Sequence, residues 1–194
     1  MMRFDVMVDI ETLGTNSDST IIQIAAIAFD ITTGEKFETF NETANIEKNE
    51  KPIKVTASTL KWWLNSNKEL FAELLNDGFE SSEQVLRNFH EWLEELCGHR
   101  TSQQVYLLGN GILFDNKMIQ HQFESIGLDY PIFYRNDRDL RTLLELASFK
   151  TDLSEEELRE KYYDDSLITH NAFNDVTNQI NLAVGCFNTL TNDQ

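Results

Sequence analysis

Residues 3–10 (RFDVMVDI) and 20–31 (TIIQIAAIAFDI) are runs of apolar and β-branched residues, and both read as strands. Residues 35–43 set Phe37, Thr39 and Asn41 against Glu38 and Phe40, which suits a third, more exposed strand. The spacers are short and turn-like (GTNSDS, then TTG), so the three strands are expected to form an antiparallel meander. From Thr56 the apolar period changes. Leu60, Trp63 and Leu64 fit one helix, and Leu70, Phe71, Leu74 and Leu75 a second. A third runs over 82–97 with Val85, Leu86, Phe89, Trp92, Leu93 and Leu96 on one face, ended by Gly98. Strands at 104–109 and 130–135, and helices at 114–125, 139–149, 154–162 and 171–190, complete the pattern. Three meandering strands followed by two strands that alternate with helices imply an α/β fold built on a mixed sheet.

The 194 residues suffice for one domain with a substantial core, and the region 1–194 shows no repeat, low-complexity tract or linker. No apolar run reaches the length of a membrane span, and Asp5, Asp9 and Glu11 interrupt any leader-like stretch, so an intracellular, cytoplasmic location with no membrane partner is expected. Cys97 and Cys186 stand far apart without a zinc-like spacing and are expected to be buried apolar residues. The net charge of −17 argues against a broad phosphate-binding face. A nucleic-acid ligand then requires a small contact at which metal ions cancel local charge.

Asp9 and Glu11 lie two residues apart at the end of the first strand, so both project from one face while Ile10 points into the core. Two neighbouring acids repel unless a cation sits between them, and hard oxygen ligands suit magnesium or manganese. The bland alternative is a strand leading into an acidic turn. Asp115 follows the apolar strand and the turn at Gly109 and Gly111, at the start of a helix, where a carboxylate is also favoured by the macrodipole alone. Asp175 falls in the first turns of the last helix, with His170 at or just before its start. Taken singly, His170 reads as a capping or surface histidine and Asp175 as a solvated helix acid.

In this order the three segments Asp9-x-Glu11, Asn110-x-x-x-Phe114-Asp115 and His170-x4-Asp175 resemble the motifs of the DEDDh branch of the DEDD exonuclease superfamily. The branch with tyrosine four positions before the last acid is not matched, because Asn171 stands there. Leu60-Lys61-Trp62-Trp63 and Arg138-Asp139-Leu140-Arg141-Thr142 look like the T-even phage exonuclease A group and related bacterial exoribonucleases. The resemblance implies an RNase H-like mixed sheet of five strands flanked by helices, with the first strand central. It also implies two Mg2+ or Mn2+ ions held by Asp9, Glu11, Asp115 and Asp175, with His170 as general base, an assignment that suits imidazole near neutral pH. The implied activity is 3′→5′ hydrolysis of single-stranded ends to nucleoside 5′-monophosphates, with DNA slightly favoured and RNA 3′ ends or overhangs the close alternative. A phage-encoded protein acting in a bacterial host would fit that group.

Thr12, Leu13, Phe114, Trp63, Arg138 and Arg141 are the candidate substrate contacts. Leu13 and Phe114 would wedge against the last base, one of Trp62 and Trp63 would stack on it, and Arg138 and Arg141 would hold phosphates. The alternatives are a core role for the tryptophans and ion pairs with Asp137, Asp139 or Glu145 for the arginines. His90, His99 and His121 stand outside any motif and are expected to be ordinary surface or helix residues, and the charged helix 154–162 to be solvated. Two other function classes remain open: a non-catalytic, acidic partner-binding or nucleic-acid-mimic module, and a metal-dependent phosphohydrolase of nucleotides.

Overall fold

Strand β1 (Phe4–Thr12) is buried along almost its whole length because helices cover both of its faces. The computed structural model, which describes residues 4–98 and 104–192, places β1 at the centre of a five-stranded sheet in the order β3-β2-β1-β4-β5. Strands β2 (Ile21–Phe29) and β3 (Lys36–Thr43) form the expected antiparallel meander with β1. On the other side β4 (Val105–Gly109) runs parallel to β1, and β5 (Asp137–Asp139) parallel to β4.

Parity along β1 divides the core. Val6, Val8 and Ile10 enter one layer with Phe89 and Leu93 of α3 (Ser82–Gly98) and Met118 and Phe123 of α4 (Asp115–Ser125). Met7 enters the other, with Leu140 and Leu144 of α5 (Leu140–Thr151), Leu158 of α6 (Glu155–Tyr162) and Val176 and Ile180 of α7 (Ala172–Thr191). A third apolar cluster joins Leu13 and Ile22 to Trp63 of α1 (Ala57–Ser66) and Leu70, Phe71 and Leu74 of α2 (Lys68–Asn76). Side chains close the helix starts: Thr56 accepts from Thr59 N–H, Asn67 from Leu70 N–H, Asp139 from Arg141 N–H, and Ser154 with Glu157 forms a capping box. None of the described helices is long and apolar enough to cross a membrane.

The strand expected at 130–135 does not form there. Pro131 has no N–H to give a ladder, and Asn136 N–H turns back to the Phe133 carbonyl at 2.7 Å. The last strand instead begins at Asp137, whose carboxylate accepts Tyr130 Oη–H at 2.7 Å. His90, expected to be an ordinary helix or surface residue, is buried with Nε2 2.8 Å from the Asp129 carbonyl. Cys186 is buried as expected, whereas Cys97 is only half-buried. His99 lies outside the described residues.

Phe89 is 0% exposed between the sheet and α4, and Leu113 is 87% exposed. Phe89→Ala is therefore expected to lower unfolding free energy by about 3–5 kcal/mol, and Leu113→Ala by no more than about 0.5 kcal/mol, in urea denaturation.

Candidate active site

The parity that sends Ile10 into the α3/α4 layer turns Asp9 and Glu11 towards α7. A register shift between Glu11 and Thr12 ends the regular pairing with β2 directly after the second acid, where a bulge can re-aim side chains. Asp175, in the first turn of α7, is carried over the same face by the packing of that helix on the sheet. One oxygen each from Asp9, Glu11 and Asp175 lies within 4.8 Å of the others.

Two glutamines support this arrangement. Gln23 stands opposite Glu11 in β2, and its Oε1 accepts the N–H of Ala172, the first residue of α7, at 3.1 Å. That satisfies one of the donors a helix start leaves open and ties α7 to β2. Gln179 is four residues after Asp175 on the same helical face, and its Nε2 donates to Asp9 Oδ1 at 2.9 Å. Neither was anticipated. Gln23 was visible as a lone polar residue in an apolar strand, and Gln179 as the i+4 neighbour of a candidate ligand.

His170 lies just before the Asn171 cap of α7, with φ +65°, a left-handed conformation uncommon outside glycine but tolerated better by histidine than by most residues. Its backbone N–H donates to Asp175 Oδ2 at 2.9 Å, so the turn that carries the imidazole is fastened to the acid.

Asp115 reaches the end of β1 from the other layer, at the start of α4, where the backbone N–H groups of Asp115 and Ile10 favour its charge. It stands outside the group formed by the other three acids, yet its charge raises the pKa of both Asp9 and Glu11. The neighbouring Asn116 is buried and fixes the start of α4, with Nδ2 donating to the Leu107 carbonyl at 3.1 Å and to Asp137 Oδ1 at 2.7 Å. A Cβ on Gly109 would come within 2.3 Å of Asn116 Oδ1, so this approach needs glycine in the strand.

Burial is the largest cause of the raised pKa at all four carboxyls, and for Asp9 and Glu11 the neighbouring acids add to it. Asp115 is pushed up to about 7, even though Arg141 works in the opposite direction. At an effective dielectric constant of about 20, two charges at such separations repel by roughly 3–4 kcal/mol. Three ionised acids would then store a repulsion comparable to the roughly 5–15 kcal/mol that holds a typical domain together. A divalent cation removes it. The donor set is all oxygen, and Gln179 Oε1 adds a buried acceptor beside Asp9 with no hydrogen-bond partner among the described residues. These residues fit a hard divalent cation.

Beside the acids lies a largely apolar cleft of about 480 Å³, lined by Ile10, Thr12, Ser58, Trp62 and Phe114 among others. Thr12 and Phe114, two of the candidate substrate contacts, line this cleft. Leu13 does not: it is 3% exposed and packs under the cleft against Trp63. Trp63 is 1% exposed, stacks on Phe71 and donates its indole N–H to the Thr12 carbonyl at 3.0 Å, so it supports the cleft as core. The exposed indole is its neighbour, Trp62. Arg141 packs over Gly111 close to Asp115, whereas Arg138 donates to the carbonyls of Arg135 and Asp137 and lies over the Tyr106 ring. The arrangement brings Arg141 to the site and turns Arg138 to the backbone.

The 3'-5' exoribonuclease Rv2179c-like domain family matches residues 4–187. The exodeoxyribonuclease of Enterobacteria phage T4 is 26% identical over 172 residues, covering 78% of this chain and 75% of the phage protein. Among solved structures, cell-death related nuclease 4 (CRN-4) superposes with a TM-score of 0.68 at 17% identity, covering 96% of this chain; the chain spans 64% of that nuclease. The nuclease domain of 3'hExo, described as a DEDDh family member bound to rAMP, superposes with a TM-score of 0.62 at 17% identity, covering 94% of this chain and 90% of that domain. The five-stranded RNase H-like sheet, the convergent acids at its centre and the near full-length family match agree: this chain belongs to the 3'-5' exoribonuclease Rv2179c-like domain family, a group of hydrolytic 3′-5′ exonucleases.

Proposed function

We propose that the protein removes nucleotides one at a time from single-stranded 3′ ends with the help of two Mg2+ or Mn2+ ions. The observation that carries this reading is the meeting of Asp9, Glu11 and Asp175, with Asp115 adjoining, beside a cleft sized for a nucleotide and bordered by an exposed indole. Asp9, Glu11 and Asp175 would hold one ion, and Asp9 with Asp115 the other. Bound cations would neutralise the acids, polarise the phosphate and acidify the attacking water.

The chain's own residues do the rest. The cleft accepts the terminal base against Trp62 and Phe114, and Arg141 offers its guanidinium to a phosphate. His170 takes the proton of the attacking water as its oxygen bonds to phosphorus and the bond from phosphorus to the 3′ oxygen breaks. The leaving 3′ oxygen gains a proton from solvent, His170 returns its own, and a nucleoside 5′-monophosphate departs. Likeness to the phage exodeoxyribonuclease supports DNA as the substrate. The family description, an exoribonuclease, supports RNA as a second reading. With a net charge of −17, strand binding is expected to depend on the cations more than on a basic face, and to be weak without them. A cytoplasmic site of action fits this chemistry.

The direct test is incubation with matched 5′-labelled single-stranded DNA and RNA, with and without manganese. A metal-dependent ladder shortened from the 3′ end is expected, fastest on DNA; no shortening of either strand would contradict the reading. His170→Ala is expected to slow turnover by about 10²–10⁴-fold while cation uptake survives, and Asp9→Ala to abolish both. Loss of cation uptake in the histidine variant would argue against a base.

The raised pKa values also set a pH dependence. Carboxyls whose folded-state pKa lies above the unfolded value favour the fold while protonated, and that stability is lost as pH rises through the folded values. The thermal midpoint of the metal-free protein is therefore expected to fall between about pH 5 and about pH 8, and added Mg2+ to restore most at the upper end. Asp9→Asn should flatten the dependence. A metal-free midpoint that climbs over this range would refute the assignment.

A further inference from the structure

Trp62 stands at the junction of the apolar cleft and the turn that carries His170. Its ring centroid is 4.7 Å from that of His170 at an interplanar angle of 78°, an edge-to-face contact. On its other side it meets Trp63 at 5.1 Å and 71°, and Trp63 is stacked on Phe71 at 5.1 Å and pinned to the Thr12 carbonyl. An unbroken aromatic row thus runs from the core to the imidazole. Trp62 is 43% exposed and lines the cleft, so a base seated there lies against an indole that already touches His170.

The histidine side of the contact needs such a support. Residues 163–171 connect α6 to α7 without regular structure, and His170 itself sits at positive φ. The hydrogen bond that fastens the turn uses the His170 backbone N–H, which fixes the main chain and leaves the side-chain torsions to be set by packing. Trp62 supplies that packing from α1, an element tied through Trp63 to the strand that bears Asp9 and Glu11.

We propose that Trp62 is a positioning residue that couples occupancy of the base cleft to the orientation of the His170 imidazole. This rests on the exonuclease reading above and adds to it. Trp62 is then more than a stacking surface: a base that orders the indole also orders the general base, so an end that fills the cleft is turned over faster as well as held tighter. A misplacement of about 1 Å in a reacting group is enough to cost roughly 100-fold in rate.

Trp62→Ala and Trp62→Phe, each checked for an unchanged thermal midpoint, separate the two roles. The substrates are oligonucleotides ending in an ordinary 3′ nucleotide or in a 3′ abasic residue, which has no base to stack. Positioning coupled to occupancy predicts that Trp62→Ala lowers kcat by about 10- to 100-fold on the base-bearing end and less on the abasic end, and that Trp62→Phe recovers most of it. A pure stacking role predicts a raised KM on the base-bearing end and no change on the abasic end, and that result would overturn the proposal. A second readout needs no activity. In the metal-free protein the ring C–H resonances of His170 should carry a ring-current shift that disappears in Trp62→Ala; equal shifts in both proteins would overturn the contact itself. If the wild type cleaves neither substrate, the exonuclease reading fails, and the resonance test still decides whether Trp62 holds His170.

Discussion

Mutual repulsion among buried carboxylates is the constraint around which this molecule is arranged. Asp9 and Glu11 share the α7-facing side of the central strand, Asp175 closes on them from α7, and Asp115 adds its charge from α4. Burial alone drives all four towards protonation. The surrounding structure holds them together regardless. Gln23 ties α7 to β2, Gln179 donates to Asp9, and Asn116 with Gly109 lets α4 begin directly against β4. Once ionised, such a cluster has its charge balanced only by bound cations.

That local balance resolves the conflict between an acidic chain and an anionic polymer. A protein with 33 acidic and 16 basic residues gains little from long-range attraction to nucleic acid. On the proposed reading its grip would be short-ranged: cations at the acids, one arginine near Asp115, and aromatic contact in a cleft sized for one nucleotide. An aromatic row runs from Phe71 through Trp63 and Trp62 to His170, and on the proposed reading it would join this grip to the chemistry. A short contact of this kind suits an enzyme that reads a strand end rather than its length.

Much of the fold was legible because a central sheet buries strands on both faces, and such strands appear in sequence as apolar runs. Asp9, Glu11, Asp115, His170 and Asp175 could be singled out as candidates because their spacing matches a known pattern and because strand parity places Asp9 and Glu11 together. What the sequence concealed was long-range. The three-residue strand Asp137–Asp139 reads as a charged stretch, and only its pairing with β4 makes it a strand, while Pro131 withholds a donor from the more apolar segment before it. Trp62 and Trp63 are adjacent on one helix, and which of them faces the core follows from how α1 meets β1. Leu13 was assigned to the cleft for the same reason and lies beneath it. Arg138, equally open in sequence to a phosphate contact or an ion pair, directs its guanidinium to backbone carbonyls and the Tyr106 ring.

The central claim concerns charge, and calorimetric titration of the metal-free protein with Mn2+ at neutral pH tests it most directly. Two equivalents per chain are expected to bind, with protons released as the raised carboxyls ionise, and Glu11→Gln should lose at least one of them. Titration to millimolar manganese with no heat beyond dilution would mean that these acids do not form a cation site, and the catalytic account would fall with it.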